Sequence, residues 1–442
     1  MTKDMTTGSP MKLVFNFAIP LMFGNLFQQF YSMVDTIIVG RFLGTNALAA
    51  VGSTGSINFL ILGFCLGTCA GFAIPVAQCF GSKDIKDLKR FVGNIIWLAG
   101  GFTVVFTIAT VVLCRPILQW MATPEDIIHH PYRYIVVIFL GIPTIVFYNV
   151  QAGLLRALGD SRTPVVFLVI ASLLNIVLDL VLILVIPMGV AGAAWATVIS
   201  QGISGLACLA FIWKKFPLLH VSRDDLVPRK RYMKRLLSMG VPMGLQSSIT
   251  AVGSILLQTS VNGLGSVVVA AASKLYQLFG CVFDALGVAM STYGGQNIGA
   301  RRGDRIFYGL RAGMVIGSVY SLLAFCAIFF FGRPMVQLFV ESSETVIIDQ
   351  AYQFMLIQVS FFIPLAAVNV IRLLIQGMGY SKLAVFAGVF EMIARGTFGL
   401  FLVPAFGFNM ACFASPAAWI LADCFLIPAY LKVMKHVKQY GY

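Results

Sequence analysis

The chain has 442 residues, of which 59% are hydrophobic and only 11% charged, with a formal net charge of +14 and a mean hydropathy of +0.90. An ordinary soluble domain has about 25% charged residues, so this composition excludes a water-soluble enzyme or binding module. The positive balance does not point to nucleic acid, because the basic residues sit in short loops between apolar runs, the pattern of a membrane protein orienting itself.

In chain order, apolar runs recur over 13–40, 47–79, 91–113, 133–153, 164–186, 190–213, 239–262, 267–295, 310–331, 352–375, 384–404 and 408–431. Each is roughly 20 residues or longer, enough to cross about 30 Å of hydrocarbon as a helix. Lipid cannot satisfy free backbone groups, so such runs must be helices, and the short alternating strands of a barrel are missing. The polar stretch Met1 to Met11 is short and the first run is too long for a signal-peptide core, so it reads as a true first helix. Basic residues crowd one set of loops and termini, from Lys3 and Lys12 through Lys83 to Arg90, Lys214 to Arg235, Arg301 to Arg311 and Lys432 to Lys438. The other set holds Arg41, Arg115, Arg133 and Arg333. The bias predicts a multi-pass protein of the cell (inner or plasma) membrane with both termini and the central loop cytoplasmic. Topology explains that basic loop, although anionic lipid is an alternative reason for it.

The nine cysteines lie mostly inside apolar runs, without the loop clustering of a disulfide framework. His129, His130, His220 and His436 have no metal-site spacing, so no metal is expected.

The two halves repeat. Ile19-Pro20 pairs with Val241-Pro242, Gln78-x-x-Gly81 with Gln296-x-x-Gly299, Arg115-Pro116 with Arg333-Pro334 and Ile142-Pro143 with Ile363-Pro364. Leu158-Gly159-x-Ser161-Arg162 pairs with Met378-Gly379-x-Ser381-Lys382, and Pro187-x-Gly189 with Pro404-x-x-Gly407. All are separated by about 220 positions, and repeats with an even number of spans share one orientation. The expected fold is all-α integral membrane, with twelve transmembrane helices in two parallel six-helix lobes around a central cleft. Residues 1–213 form the N-lobe, 214–238 a cytoplasmic basic linker and 239–442 the C-lobe; rocking of such lobes gives alternating access.

Ionisable groups within spans are expensive and are functional candidates by default. Asp35 lies near the outer end of the first helix, Asn175 and Asp179 share a face of the fifth, and Thr197 follows the outer end of the sixth. At 1.5 Å per residue these groups fall at one depth, where two carboxylates repel and are hard to ionise together. That suits a proton carrier; the alternative is that each carboxylate meets water or a neighbouring helix. Pro20 should kink or loosen the helix of Asp35, making it a moving part. Gln28 and Tyr31, with Asn149, are candidate cleft-lining groups or simple polar helix contacts. Glu391 and Arg395, one turn apart, are either a structural pin or a substrate or coupling site. Asp284, Asp423, Arg372 and Lys274 lie near a lobe interface or snorkel to the cytoplasm. There is no phosphate-binding G-x-x-x-x-G-K-[ST] loop, nucleophile elbow or zinc motif. Catalysis and cofactors are therefore not expected, and uphill transport would run on an ion gradient unless a partner supplies the energy.

The phrases Val34-Asp35-Thr-Ile-Ile-Val-Gly40-Arg-Phe-Leu-Gly44 and Gly189-Val-Ala-Gly192-Ala-Ala-Trp-Ala-Thr197, with the paired Gln-x-x-Gly, resemble the multidrug and toxic compound extrusion (MATE) family over nearly the whole chain. The resemblance implies export of cationic or aromatic drug-like compounds by H+ or Na+ antiport. It matches Asp35, Asn175, Asp179 and Thr197 to the family's N-lobe cation-coupling residues, and Pro20 to a position where a bend of helix one is linked to protonation. Other members carry coupling acids in helices seven and ten. This chain has none there, with Asn369 and Arg372 among the polar groups of helix ten, which moves the coupling site to the N-lobe. Rivals are a lipid-linked oligosaccharide flippase, a major-facilitator carrier and a polytopic enzyme. Few embedded basic residues, the lack of a spaced glycine in Gly81 to Arg90, and the lack of a catalytic cluster respectively count against them. No charge pattern demands a dimer, so a monomer in the lipid bilayer is expected.

Overall fold

The computed structural model describes residues 2–120, 129–262, 266–337 and 344–439, which are almost wholly helical and contain no strand. The first half holds α1 (Pro10–Leu43), α2 (Thr45–Ser82), α3 (Ile85–Trp120), α4 (His129–Leu140), α5 (Ile142–Ala157), α6 (Arg162–Leu180) and α7 (Val190–Lys215). The second holds α8 (Lys230–Asn262), α9 (Ser266–Gly299), α10 (Gly303–Val336), α11 (Thr345–Ser360), α12 (Phe362–Gly377), α13 (Ser381–Thr397), the short α14 (Val403–Phe406) and α15 (Phe408–Gln439). Among the described residues ten stretches are long and apolar enough to cross a membrane, and the pairs α4–α5 and α11–α12, bent by 47° and 49°, bring the number to 12 when each is one span. Each bend stands just ahead of a proline, Pro143 or Pro364, whose ring clashes with the carbonyl four residues back.

The repeated landmarks take the same role twice. Gly159 and Gly379, at φ +83° and +98°, turn the chain after α5 and α12, a left-handed conformation that side chains disfavour. Gly189 and Gly407 precede α7 and α15 with φ +62° and +74°. Between these turns, α6 runs into a π-helical turn, Val181–Val185, and α13 into another, Phe398–Leu402.

Packing divides the chain into two units: Met1–Lys3 with Phe23–Gly244, and Asp4–Met22 with Leu245–Tyr442. The boundaries cut α1 just past Pro20 and α8 just past Pro242, not in the polar loop that the sequence marks. The reason is local. Phe216, Leu219 and Leu236 are buried in the N-terminal unit's core with Phe72, Leu88, Val92, Leu155 and Cys208. The loop ahead of α8 is also clipped to α3: the Asn94 Oδ1 accepts the Arg229 N–H at 2.9 Å, and the Trp97 indole donates to the Leu226 carbonyl at 2.7 Å. In the C-terminal unit the Met5 N–H donates to Gln296 Oε1 at 2.8 Å, and Asn297 Nδ2 donates to the Met5 carbonyl at 3.1 Å, holding the fully buried Met5. Within this unit α9 and α12 touch backbone to backbone: a Cβ on Gly377 would lie 2.1 Å from the Ser291 carbonyl oxygen. Small residues at such crossings are how helices approach in lipid, where no hydrophobic force drives them together. Outward faces carry residues suited to lipid, such as Val105, Ile108 and Val112 on α3 and Phe329, Phe330 and Phe331 on α10. Among the described residues no cysteine forms a disulfide.

Candidate functional site

Three helices of the N-terminal unit bring their polar groups together. Tyr31 and Asp35 stand one turn apart on α1, Asn175 and Asp179 one turn apart on α6, and Thr197 on α7. Gly192 lets α7 close on the end of α6, since a Cβ there would lie 2.9 Å from the Leu182 carbonyl oxygen. Asn175 and Asp179 are fully enclosed, at 1% and 0% exposure. The Asn175 amide is satisfied in one orientation only. Its Nδ2 donates to Asp179 Oδ2 and to the Tyr31 hydroxyl, both at 3.0 Å, and its Oδ1 accepts from the Thr197 N–H at 2.9 Å and the Thr197 hydroxyl at 3.2 Å. The Tyr31 hydroxyl in turn hydrogen-bonds Thr197, closing a ring in which each member has its partners.

The acids are different. The carboxyl groups of Asp35 and Asp179 are hydrogen-bonding neighbours, yet Oδ1 of each is buried without a donor. A carboxylate only accepts, so such a contact requires a proton on one of them. Around the pair lies an apolar cluster of Ile38, Val39, Ala47, Ile183, Val190 and Ala193, with Val34, Leu43, Ile176 and Tyr134 against it. Ile183 belongs to the π-helical turn that follows Asp179. Tyr134, on α4, interacts electrostatically with both acids. No sequence signal marks it, because α4 reaches the site only through tertiary packing.

Glu391 and Arg395 are not at an open surface. Glu391, 3% exposed, takes Arg372 Nη1 on one oxygen at 2.9 Å and Arg395 Nη2 on the other at 3.4 Å. Arg372 Nη2 donates to Asn369 Oδ1 at 3.0 Å and Arg395 Nη1 to the Ser254 hydroxyl at 3.4 Å. Asp423 is buried nearby within electrostatic range of Arg372 and Glu391. Sequence spacing finds the Glu391–Arg395 contact but not the addition of Arg372 from α12. Of the remaining candidates, Gln28 is exposed on α1, and Asn149 donates to the Ile145 carbonyl of its own helix at 2.8 Å. Pro20 sits inside an unbroken α1, where it leaves the Asn16 carbonyl without its helical donor. Among the described residues no group of three or more His, Cys, Asp or Glu could hold a metal ion. The Lys274 side chain lies outside the described residues.

Two units of repeated membrane-spanning helices, one of them enclosing a carboxyl pair away from lipid, define a repeat-built membrane carrier. The MatE family model matches residues 20–181 and again 242–401, so the displacement of the landmark pairs appears a second time. The probable multidrug resistance protein YpnP of Bacillus subtilis (strain 168) is 31% identical over 370 residues, covering 83% of this chain and 82% of that protein. The probable multidrug resistance protein YoeA of the same strain is 31% identical over 342 residues, covering 75% and 74%. A crystal structure of MATE in complex with MaL6 superposes with a TM-score of 0.92 at 22% identity, covering 99% of this chain and 100% of that one. The chain belongs to the MatE family, the multidrug and toxic compound extrusion transporters.

Proposed function

We propose that this protein exports cationic and aromatic small organic molecules across the cell membrane by proton antiport, with Asp35 and Asp179 as the proton-carrying pair. The observation that supports this reading is the contact between the two carboxyl groups, which needs a proton on one of them. Asn175 turns an N–H, not an oxygen, toward Asp179, and the two buried Oδ1 atoms lack donors. A shared proton fits that geometry; a sodium ion needs more oxygen ligands turned inward. In the proposed cycle a proton from outside neutralises the pair, α1 shifts against α6 and α7, and substrate leaves. Pro20 is the proposed hinge, since a helix can bend at a proline without breaking a further backbone hydrogen bond. A membrane potential adds about 2.3 kcal/mol per charge per 100 mV. The basic loops support a plasma or inner membrane location with both termini and the loop Lys214 to Arg235 cytoplasmic. A lipid-linked oligosaccharide flippase is not favoured, because YpnP and YoeA, each 31% identical to this chain, carry the name probable multidrug resistance protein.

The test is ethidium efflux from cells expressing the chain, with the proton and sodium gradients collapsed separately. Efflux should fail when the proton gradient is removed and persist without sodium. D35N and D179N should each lower it by about tenfold or more, the scale of a lost proton-transfer group. Dependence on sodium alone would reassign the site to that ion, and full efflux by both variants would remove the pair from the mechanism.

A further inference from the structure

We propose that Asp284 is the group that binds the positive charge of the substrate in the C-terminal unit, which extends the export reading by naming a recognition residue for monovalent organic cations. Asp284 lies near the middle of the span Leu275–Gly299. Among residues 275–299 only Gln277 and Asp284 are exposed, and Ser291 continues the same helical face half-buried. α10, by contrast, exposes Val315, Val319, Leu322, Leu323, Phe329 and Phe330. A carboxylate in hydrocarbon is costly, so the polar face of α9 meets water while the apolar face of α10 meets lipid. None of the ion pairs among the described residues includes Asp284.

Among the described residues the local charge balance makes Asp284 the acid left over. Arg372 and Arg395 are both committed to Glu391. Asp423, 9% exposed, sits within range of Arg372 and offsets the second positive charge. Arg372 also lies within electrostatic range of Asp284, but its charge is already matched. The remaining negative charge, facing water, attracts a cation; Tyr276, half-buried two turns earlier on α9, adds an aromatic ring suited to a quaternary or delocalised cation.

The fold itself does not require the acid. Asp284 stands as far ahead of Gln296 as Leu66 stands ahead of Gln78, and Gln277 as far as Phe59. Leu66 and Phe59 are exposed too, at 41% and 56%. The same helical position is therefore open in both units and acidic in one, the mark of a ligand requirement and not of packing.

Binding of tetraphenylphosphonium, whose charge does not titrate, to the purified full-length transporter in lipid nanodiscs tests this. D284N should weaken binding about fivefold, the upper end for a solvated ion pair, while D284E stays within about twofold of wild type. Because Asp284 is exposed and belongs to no ion pair among the described residues, the thermal transition of both variants should match that of wild type. Undiminished binding by D284N overturns the assignment, as does equal loss in D284N and D284E. Wild-type protein that binds no organic cation would instead overturn the export reading on which the assignment rests.

Discussion

Replacing Glu391 by Gln tests whether the cluster of the C-terminal unit is a structural pin. The change keeps the volume and one acceptor oxygen. It removes the charge that holds Arg372 at 2.9 Å and Arg395 at 3.4 Å, both guanidiniums being nearly enclosed at 13% and 9% side-chain exposure. Removing one partner of a buried ion pair costs about 3–5 kcal/mol, because a desolvated charge is left uncompensated. Asp423 and Asp284 remain within electrostatic range of Arg372 and offset part of the loss, which points to the lower end, about 3 kcal/mol. For a unit of this size that corresponds to a fall in melting temperature of roughly 6–12 °C. The assay is thermal unfolding of purified protein in detergent, followed by intrinsic fluorescence. E391Q/R395M, which removes the second guanidinium and leaves Arg372 facing Asp423, should recover at least half of the fall. A melting temperature of E391Q within about 2 °C of wild type, below one kcal/mol on the same scale, would refute the reasoning and free Glu391 for a role in transport.

Two further outcomes follow from backbone approach and from the N-terminal segment. G377A should destabilise the C-terminal unit by more than about 2 kcal/mol, since its Cβ would stand 2.1 Å from the Ser291 carbonyl and backbone must move. G101A, with nothing within 4 Å of its Cβ, should be neutral or stabilising by up to about 1 kcal/mol; the pair is compared by thermal melting in detergent, and equal effects would count against the close α9–α12 crossing. Q296L leaves the Met5 N–H buried without an acceptor, so limited proteolysis should cut ahead of α1 several times faster than in wild type, and an unchanged rate would show that the segment is held by other contacts.

The sequence by itself determined the membrane class, the repeat and most of the span positions. These rest on the length of apolar runs and on punctuation by proline and glycine, both properties of local chain. Pro143 and Pro364 mark the two bent spans, and Gly159, Gly189, Gly379 and Gly407 the paired turns. It also supplied four members of the acidic site: Asp35 and Asp179 stand out as charges in apolar runs, Asn175 shares a face with Asp179 by helical period, and Thr197 was placed by depth.

Only the tertiary structure decided what those groups touch. Tyr31 joins the Asn175–Thr197 ring and Tyr134 comes in from α4, because which faces of separate helices meet is set by packing and not by period. The same holds for Arg372: Glu391 reaches Arg395 along its own helix, but the second guanidinium arrives from α12. The unit boundaries lie inside α1 and α8 because buried apolar side chains, not loop polarity, assign a segment to a core. And Asp284 reads in sequence as one more costly charge, while its exposure within electrostatic range of Arg372, which Glu391 holds, comes from three dimensions: solvent reaches a carboxylate according to what packs around it, which no single helix specifies.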